Sequence, residues 1–329
     1  MSSQDESARL LAESLRRATG DANPALITSV IPALLRGIGR TATALRGAHS
    51  VEKAGSDNVF GDAQLNVDVL AEQFFREEVA ACPAIVAASS EEDPVEQQKQ
   101  QQPAGDNEEV YAVAFDPLDG SSIIAPNWSV GSILGIWVGR SALRQDPSRQ
   151  VAAVLGVYGP RTTAVIAVRV PGREGSAACL EVGVNDSGSC EIVRDLTLRN
   201  TETKTRYFAP ANLRAASEDP RYMALVTRYI AERYTLRYSG GLVPDVVHAL
   251  VKGHGVYMSP VTAGSKAKLR RAFELLPVAL VVECAGGLAV DPADGRRILE
   301  IPLNDLDETA GLVCGTAEEV EKVKAVLLG

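Results

Sequence analysis

A layered α/β fold is what this 329-residue chain predicts, and three features carry the prediction. Residues 5–19, 24–48 and 63–81 repeat Leu, Ile, Val and Ala at helical spacing. Residues 130–138, 151–158, 161–170, 178–184, 190–199 and 204–208 are short β-prone runs divided by turns, so the middle of the chain is rich in sheet. Beyond residue 208, helical and extended segments alternate to the carboxy terminus. The length suits two domains or one large one. The expected division is residues 1–200, which hold acid-tipped strands, and residues 201–329, which hold a basic cluster.

Composition narrows the classes of function. With 42 acidic against 33 basic residues the net charge is −9, which argues against a nucleic-acid surface and makes any anion site a local construction. No apolar run approaches the roughly 20 residues of a membrane span, and the polar amino terminus MSSQDESARLLAESLRRATG does not read as a signal peptide. The five cysteines are scattered, odd in number and without a CxxC pair, so a reducing, cytoplasmic location is expected. Three histidines with no i, i+4 pair make zinc improbable, and a metal site here must be built from oxygen.

Taken in order, the first two helices read as packing elements, with Pro24 in a first turn. Residues 49–62 (HSVEKAGSDNVFGD) read as a loop, followed by the helix 63–81 with Leu65, Val69, Phe74 and Val79 toward the core. Asp68 sits on that helix between Val67 and Val69, either solvated or aimed into a site. A short strand, 84–88, runs into Ser89-Ser90-Glu91-Glu92-Asp93, three acids that repel one another unless a cation or solvent relieves them. Residues 94–109, rich in Gln, read as a surface loop. The β-prone run 110–115 (VYAVAF) then delivers Asp116 to a sharp bend, because Pro117 lacks an N–H, Gly120 tolerates positive φ and Ser121 and Ser122 favour turns. The bend brings the carboxylates of Asp116 and Asp119 together and turns the amides of Gly120, Ser121 and Ser122 toward an anion. A purely structural turn is the competing reading.

In the second half, a helix over 218–232, a strand over 234–238, a bend at Gly240-Gly241 and a helix over 244–252 are expected, with His248 a packed residue of that helix. After a strand at 255–258, TAGSKAKLRR places Lys266, Lys268, Arg270 and Arg271 within six residues, a candidate phosphate clamp or a solvated basic face. Glu274 follows one helical turn from Arg270. A helix over 275–285, a strand over 311–315 and a helix over 317–327, opened by a Thr316–Glu319 capping box, complete the chain.

Glu91, Glu92, Asp116, Asp119 and Glu274 thus stand out by position. An all-oxygen set suits Mg²⁺, with Mn²⁺ a second possibility, and Mg²⁺ is usually shared between carboxylates and a substrate phosphate. Such ions polarise phosphoryl oxygens and neutralise a leaving alkoxide, while Asp68 or Glu92 takes a proton from the attacking water. The expected reaction is phosphomonoester hydrolysis. No P-loop or dinucleotide fingerprint is present.

AFDPLDGSS after a strand, preceded by SSEED, resembles the lithium-sensitive, metal-dependent phosphatase superfamily that contains fructose-1,6-bisphosphatase, sedoheptulose-1,7-bisphosphatase and inositol monophosphatase. The resemblance covers about residues 50 to 325. The segments GSDNVFGDAQLNVDVLAE, ANLRA, YTLRYSGGLVPDV, KAKLRRAFELLP and NDLDE are more similar to the sedoheptulose group than to the fructose group. It implies a five-layer α/β/α/β/α sandwich and release of the 1-phosphate of a sugar bisphosphate. It also implies a homo-oligomer, dimer or tetramer, with no nucleic acid or membrane partner. The implied metal ligands are Glu91, Glu92, Asp116, Asp119, Glu274 and the Leu118 carbonyl. Asp68 and Glu92 would activate water, and Asp62 would close a loop over the site. Gly120, Ser121 and Ser122 would hold the phosphate being cleaved, with Arg270 close by. Asn212, Arg237, Tyr238 and Lys268 would hold the sugar and distal phosphate, Arg237 reaching across a subunit interface.

Three departures matter. ATGDANPALITS lacks the AMP-binding segment of animal fructose-1,6-bisphosphatases, no cysteine precedes Cys82 to form the plastid disulfide switch, and Ser259 stands where a sugar-contacting Tyr is expected. Chain-length preference therefore stays open between seven- and six-carbon sugars. An inositol or nucleotide phosphatase, or a silent metal-binding homologue, are the more distant alternatives.

Overall fold

The computed structural model describes residues 3–57, 63–99, 109–199, 203–266 and 268–329. Helix α1 (Ser3–Thr19) and helix α2 (Ile31–Gly47) are joined through a π-helical turn at Leu26–Val30. The expected loop after them contains a strand instead: β1 (Lys53–Asp57) pairs antiparallel with β2 (Ala63–Leu65). Asp62 lies outside the described residues. Helix α3 (Asn66–Ala81) buries Val67, Asp68, Ala71, Phe75 and Val79, a four-residue repeat. The expected face was misaligned: Val69 is exposed and Phe74 is half-buried under the Arg40 guanidinium. The correction puts Asp68 on the inward stripe.

Strand β3 (Ile85–Ser90) pairs parallel with β5 (Tyr111–Asp119) on one side and with β4 (Gln97–Gln98) on the other. Part of the Gln-rich stretch is therefore strand rather than loop; its residues 100–108 lie outside the described residues. A four-residue helix, α4 (Ser121–Ile124), follows β5. Strands β6 (Val130–Val138), β7 (Gln150–Tyr158), β8 (Thr162–Arg169), β9 (Ala177–Val184) and β10 (Cys190–Asp195) meander antiparallel, completing an eight-stranded sheet in the order β10-β9-β8-β7-β6-β5-β3-β4.

The second half begins with β11 (Tyr207–Pro210), a 3-10 turn at Leu213–Ser217, α5 (Pro220–Ala231), the two-residue β12 (Thr235–Leu236) and α6 (Leu242–Lys252). The last starts two residues earlier than its apolar spacing predicts. Then come β13 (Val256–Ser259), β14 (Leu269–Arg270), a π turn at Arg271–Leu275, α7 (Leu276–Cys284), β15 (Leu288–Val290), β16 (Thr309–Ala310), β17 (Leu312–Gly315) and α8 (Ala317–Leu328). Five strands form a second sheet, β12-β11-β13-β17-β15, and β14 pairs with β16. The sequence pattern had not indicated β15.

Period-two alternation along the strands assigns each face to a core. Tyr111, Val113 and Phe115 join the cluster built by α1, α2 and α3, whereas Ala112 and Ala114 join a central cluster with α6 and α7. In the smaller sheet Tyr257 and Cys314 face that same central cluster, whereas Val256, Met258 and Val313 face α5 and α8. Three helical layers thus enclose two sheets, the five-layer sandwich. Helix α7 is buried from Leu276 to Val282, as expected of a helix apolar on every side and held between two sheets. Gly131 on β6 permits close approach of α6: a Cβ there would stand 2.4 Å from Cβ of Val243.

The expected Thr316–Glu319 capping box does not form. Thr316 Oγ1 accepts the Gly255 amide at 3.1 Å, and the Glu319 carboxylate accepts from Tyr234 at 2.9 Å and Lys322 at 3.1 Å. A buried polar cluster has outcompeted the local cap. Cys82, Cys179, Cys190, Cys284 and Cys314 are free thiols. Among the described residues no helix is long and apolar enough to cross a membrane.

Candidate active site

The site begins at the end of β5, where the sequence was expected to leave the strand at Pro117. The strand instead continues to Asp119 through a bulge: Asp116 pairs with Ile133 and Asp119 with Gly131, three steps on one strand against two on the other. A bulge is where a residue without an N–H is tolerated inside a sheet. The chain turns only at Gly120, whose φ of 99° is left-handed and suited to glycine. Beneath the bulge the Ser132 hydroxyl donates to the Pro117 carbonyl at 2.6 Å and shares a 2.6 Å hydrogen bond with Tyr158, so a buried network holds the distorted strand. Neither Ser132 nor Tyr158 carries a sequence signal beyond a small polar residue in an apolar run.

Asp116, Asp119 and Glu274 each offer a carboxylate oxygen within 4.8 Å of the others, all three being buried. Glu274 arrives from the π turn preceding α7, and its carboxylate accepts the Arg270 amide. Asp116 accepts the Leu118 amide at 2.9 Å. Asp119 accepts two amides from the start of α6, Leu242 at 3.1 Å and Val243 at 2.7 Å, a favourable place for an anion at a helix amino terminus.

These carboxyls are held well above their ordinary range. Burial is the leading cause for Asp116, followed by the charges of Glu91, Asp119 and Glu274. For Glu274 it is burial and then Glu91. Asp119 rises to about 6 through burial, moderated by its two amides. Such a group is intolerant of its own charge, and a hard divalent cation relieves both the desolvation and the repulsion. The all-oxygen donor set fits Mg²⁺ or Mn²⁺.

Glu91 and Glu92 are half-buried just past β3, the Glu91 amide donating to the Phe115 carbonyl at 3.0 Å, and of the two only Glu91 acts on this cluster. Glu91 acts on Asp116 and Glu274, whereas Glu92 acts on Asp68. Asp68 is 4% exposed; its Oδ2 accepts the Leu65 amide at 2.9 Å and its Oδ1 has no hydrogen-bond partner. Burial, with Glu92 adding to it, raises its carboxyl to about 7.

The basic side is only partly as expected. Lys266 and Lys268 are exposed and Arg270 is half-buried beside Glu274. Arg271 leaves the cluster: it is buried, pairs with Glu308 at 3.1 Å and donates to the Ile301 carbonyl at 2.9 Å. The Asn212 amide ties down a neighbouring loop, donating to the Pro260 carbonyl at 2.6 Å and accepting from Ser265. Arg237 and Tyr238 are exposed and line a cavity of about 790 Å³ with Trp128, Tyr158 and His248. None of the three clustered acids lines that cavity. His248 packs edge-on against Tyr207, 4.7 Å between centroids, as a packed helix residue should.

Two family models match the chain: "Fructose-1-6-bisphosphatase, N-terminal domain" over residues 11–183 and "Fructose-1-6-bisphosphatase, C-terminal domain" over residues 201–328. Chloroplastic sedoheptulose-1,7-bisphosphatase of Spinacia oleracea is 37% identical over 273 residues, 83% of this chain and 67% of that protein. Class 1 fructose-1,6-bisphosphatase of Syntrophotalea carbinolica is 34% identical over 282 residues, 83% of this chain and 81% of that protein. Among solved structures, a proposed sedoheptulose-1,7-bisphosphatase from Toxoplasma gondii superposes with a TM-score of 0.84 at 38% identity, covering 97% of this chain and 98% of that one. Leishmania major fructose-1,6-bisphosphatase, at 24% identity and a TM-score of 0.79 over 96% and 98% of the two chains, shares the fold.

Proposed function

Because the chain belongs to the fructose-1,6-bisphosphatase family of sugar-bisphosphate hydrolases, we propose that it releases the 1-phosphate of sedoheptulose 1,7-bisphosphate in a Mg²⁺- or Mn²⁺-dependent reaction. The observation that carries the reading is the buried Asp116–Asp119–Glu274 group within 4.8 Å at a strand end. The seven-carbon sugar is favoured by the two sedoheptulose-type relatives at 37% and 38% identity. The six-carbon sugar is the second reading, supported by the class 1 relative at 34%.

Asp116, Asp119, Glu274, Glu91 and Glu92 would hold the cation, with the Leu118 carbonyl at the bulge as a further donor. When bound, the cation supplies charge neutralisation for the phosphoryl oxygens and the departing alkoxide. The amides of Gly120, Ser121 and Ser122, at the exposed turn after β5, would orient the phosphate being cleaved, and Arg270 would add positive charge nearby. Asp68 would take the proton of the attacking water on Oδ1, its unpartnered oxygen, as a new P–O bond forms and the bond to the sugar oxygen breaks. A carboxyl near pH 7 is well matched to that task. Arg237, Tyr238 and Lys268 would receive the sugar and distal phosphate, with Asn212 shaping the loop beside them. On this reading residues 1–200 supply most of the metal-binding half and residues 201–329 the substrate-binding half, Glu274 crossing between them. A homo-oligomer in which the exposed Arg237 reaches a neighbouring subunit completes it.

A phosphate-release assay with both bisphosphates and inositol 1-phosphate, in Mg²⁺ and in EDTA, tests the reading. Activity lost in EDTA, with the higher kcat/KM on the seven-carbon sugar, is expected. Preference for the six-carbon sugar would overturn the substrate, and undiminished turnover in EDTA would overturn the metal dependence.

A further inference from the structure

We propose that Asp245, which the chemistry does not otherwise use, is a positioning residue that locks the sugar-facing segment 237–241 to the metal-facing carboxylate of Asp119; the inference rests on the reading above. Asp245 lies in the first turn of α6 and is 6% exposed. Its Oδ1 accepts the Ser239 amide at 2.7 Å and its Oδ2 accepts the Gly240 amide at 3.2 Å. The next two donors in the chain after Gly241, the amides of Leu242 and Val243, are the ones that hold the two oxygens of Asp119.

Two carboxylates therefore bracket one five-residue stretch, residues 239–243. Asp245 grips its first two amides from within α6, and Asp119 receives its last two from β5. Gly240 makes the tight turn between them possible, with φ of 103°. Upstream, the Arg237 amide donates to the Phe208 carbonyl at 3.0 Å, fastening the same segment to β11. Arg237 and Tyr238 are thus suspended between β11 and the turn that Asp245 holds. If the Asp245 grip is released, the turn loses two of its anchors. The segment carrying Arg237 and Tyr238 and the amides facing Asp119 are then displaced together. Partners that orient metal ligands from behind typically cost 10–100-fold in metal affinity or activity when removed.

An Asp cannot be replaced here by its isostere without loss, because an Asn offers one acceptor oxygen and presents an NH₂ to the second amide. Asp245→Asn is therefore the test, studied in the full chain beside the wild type and Gly240→Ala. The Ala variant perturbs the turn by another route, since its Cβ would impose a left-handed non-glycine residue 3.3 Å from Ile123. The measurements are KM and kcat on the bisphosphate, Mg²⁺ binding by calorimetry, amide hydrogen exchange at Leu242 and Val243, and Tm.

The expected result is a KM raised about 10-fold, Mg²⁺ binding weakened about 10-fold and faster exchange at both amides, in both variants. A fall in Tm with KM, Mg²⁺ binding and the two exchange rates unchanged would overturn the proposal, leaving Asp245 as a helix-stabilising residue only. If Asp245→Asn does not fold, Gly240→Ala decides by the same criteria. Failure of the functional reading is separable: it would appear as a wild type without Mg²⁺-dependent phosphate release, whereas the exchange rates at Leu242 and Val243 report on the Asp245 grip irrespective of turnover.

Discussion

Replacing Asp68 by Asn is expected to stabilise the metal-free protein while removing its catalysis. Burial, reinforced by Glu92, raises this carboxyl from 3.8 to about 7. Between roughly pH 4 and pH 7 the folded protein thus retains a proton that the unfolded chain has released. Stability therefore falls as pH rises through that window, by about 1.4 kcal/mol per pH unit and ~4 kcal/mol in all. Asn carries no charge, so it escapes this loss, and its carbonyl oxygen preserves the bond from the Leu65 amide. Its NH₂ then replaces Oδ1, the unpartnered oxygen, and a buried unpaired amide costs ~1–3 kcal/mol. The net gain at pH 8 is ~2 kcal/mol, a few degrees in Tm for a chain of this size. At pH 4 the gain vanishes or reverses, because both proteins are then neutral at this position. Thermal unfolding in EDTA at the two pH values measures the difference, and kcat in Mg²⁺, expected to fall about 10²–10⁴-fold, measures the chemistry. A Tm difference that does not change with pH would refute the buried-charge argument. Wild-type kcat would refute the role of Asp68 in taking the proton.

Asp119→Asn is expected to reduce Mg²⁺-dependent phosphate release at least 10²-fold with the circular dichroism spectrum unchanged; full turnover would remove Asp119 from the metal set. Gly120→Ala forces a residue with a Cβ into φ of 99°, with that Cβ 3.1 Å from Val130 and 3.3 Å from Ile123. It should cost ~1–2 kcal/mol in urea unfolding and lower kcat/KM, and an unperturbed midpoint would show that the turn relaxes freely. Glu319 is lowered to about 2: burial opposes its charge, but the His254 ring 3.8 Å away and hydrogen bonds from Tyr234 and Lys322 outweigh burial. Its stabilisation is present above about pH 4.5 and is lost as pH falls toward 2, so Glu319→Gln should cost ~2 kcal/mol at pH 7 and little near pH 2. Equal losses at both pH values in denaturant titrations would assign the effect to packing instead.

Much of the fold was legible because its signals are local. The strand expected at 130–138 is Val130–Val138, and the helix expected at 317–327 is Ala317–Leu328, each read from a two- or 3.6-residue period. Of the candidate ligands, Asp116, Asp119 and Glu274 do converge, and Glu91 is close enough to act on two of them. What escaped depends on distant partners. Strand β5 passes Pro117 because β6 offers a register that accommodates a bulge. Arg271 turns away from the basic cluster because Glu308 and the Ile301 carbonyl, 37 and 30 residues on, receive it. The inward stripe of α3 is ambiguous in the sequence because Phe74 and Phe75 are equally apolar, and only the surrounding packing selects Phe75.

By itself the sequence determined the kind of chemistry available: oxygen donors without histidine or thiolate, a glycine that permits one turn, and strands tipped with acids. Those properties belong to covalent structure and near neighbours. Tertiary structure alone decided which carboxylates converge within 4.8 Å, that an oxygen of Asp68 is left without a partner, and that the amides of α6 close on Asp119 from 123 residues away. Side-chain type is set residue by residue, whereas convergence at a few ångströms depends on sheet register, bulge position and helix rotation, each fixed by packing across the whole chain.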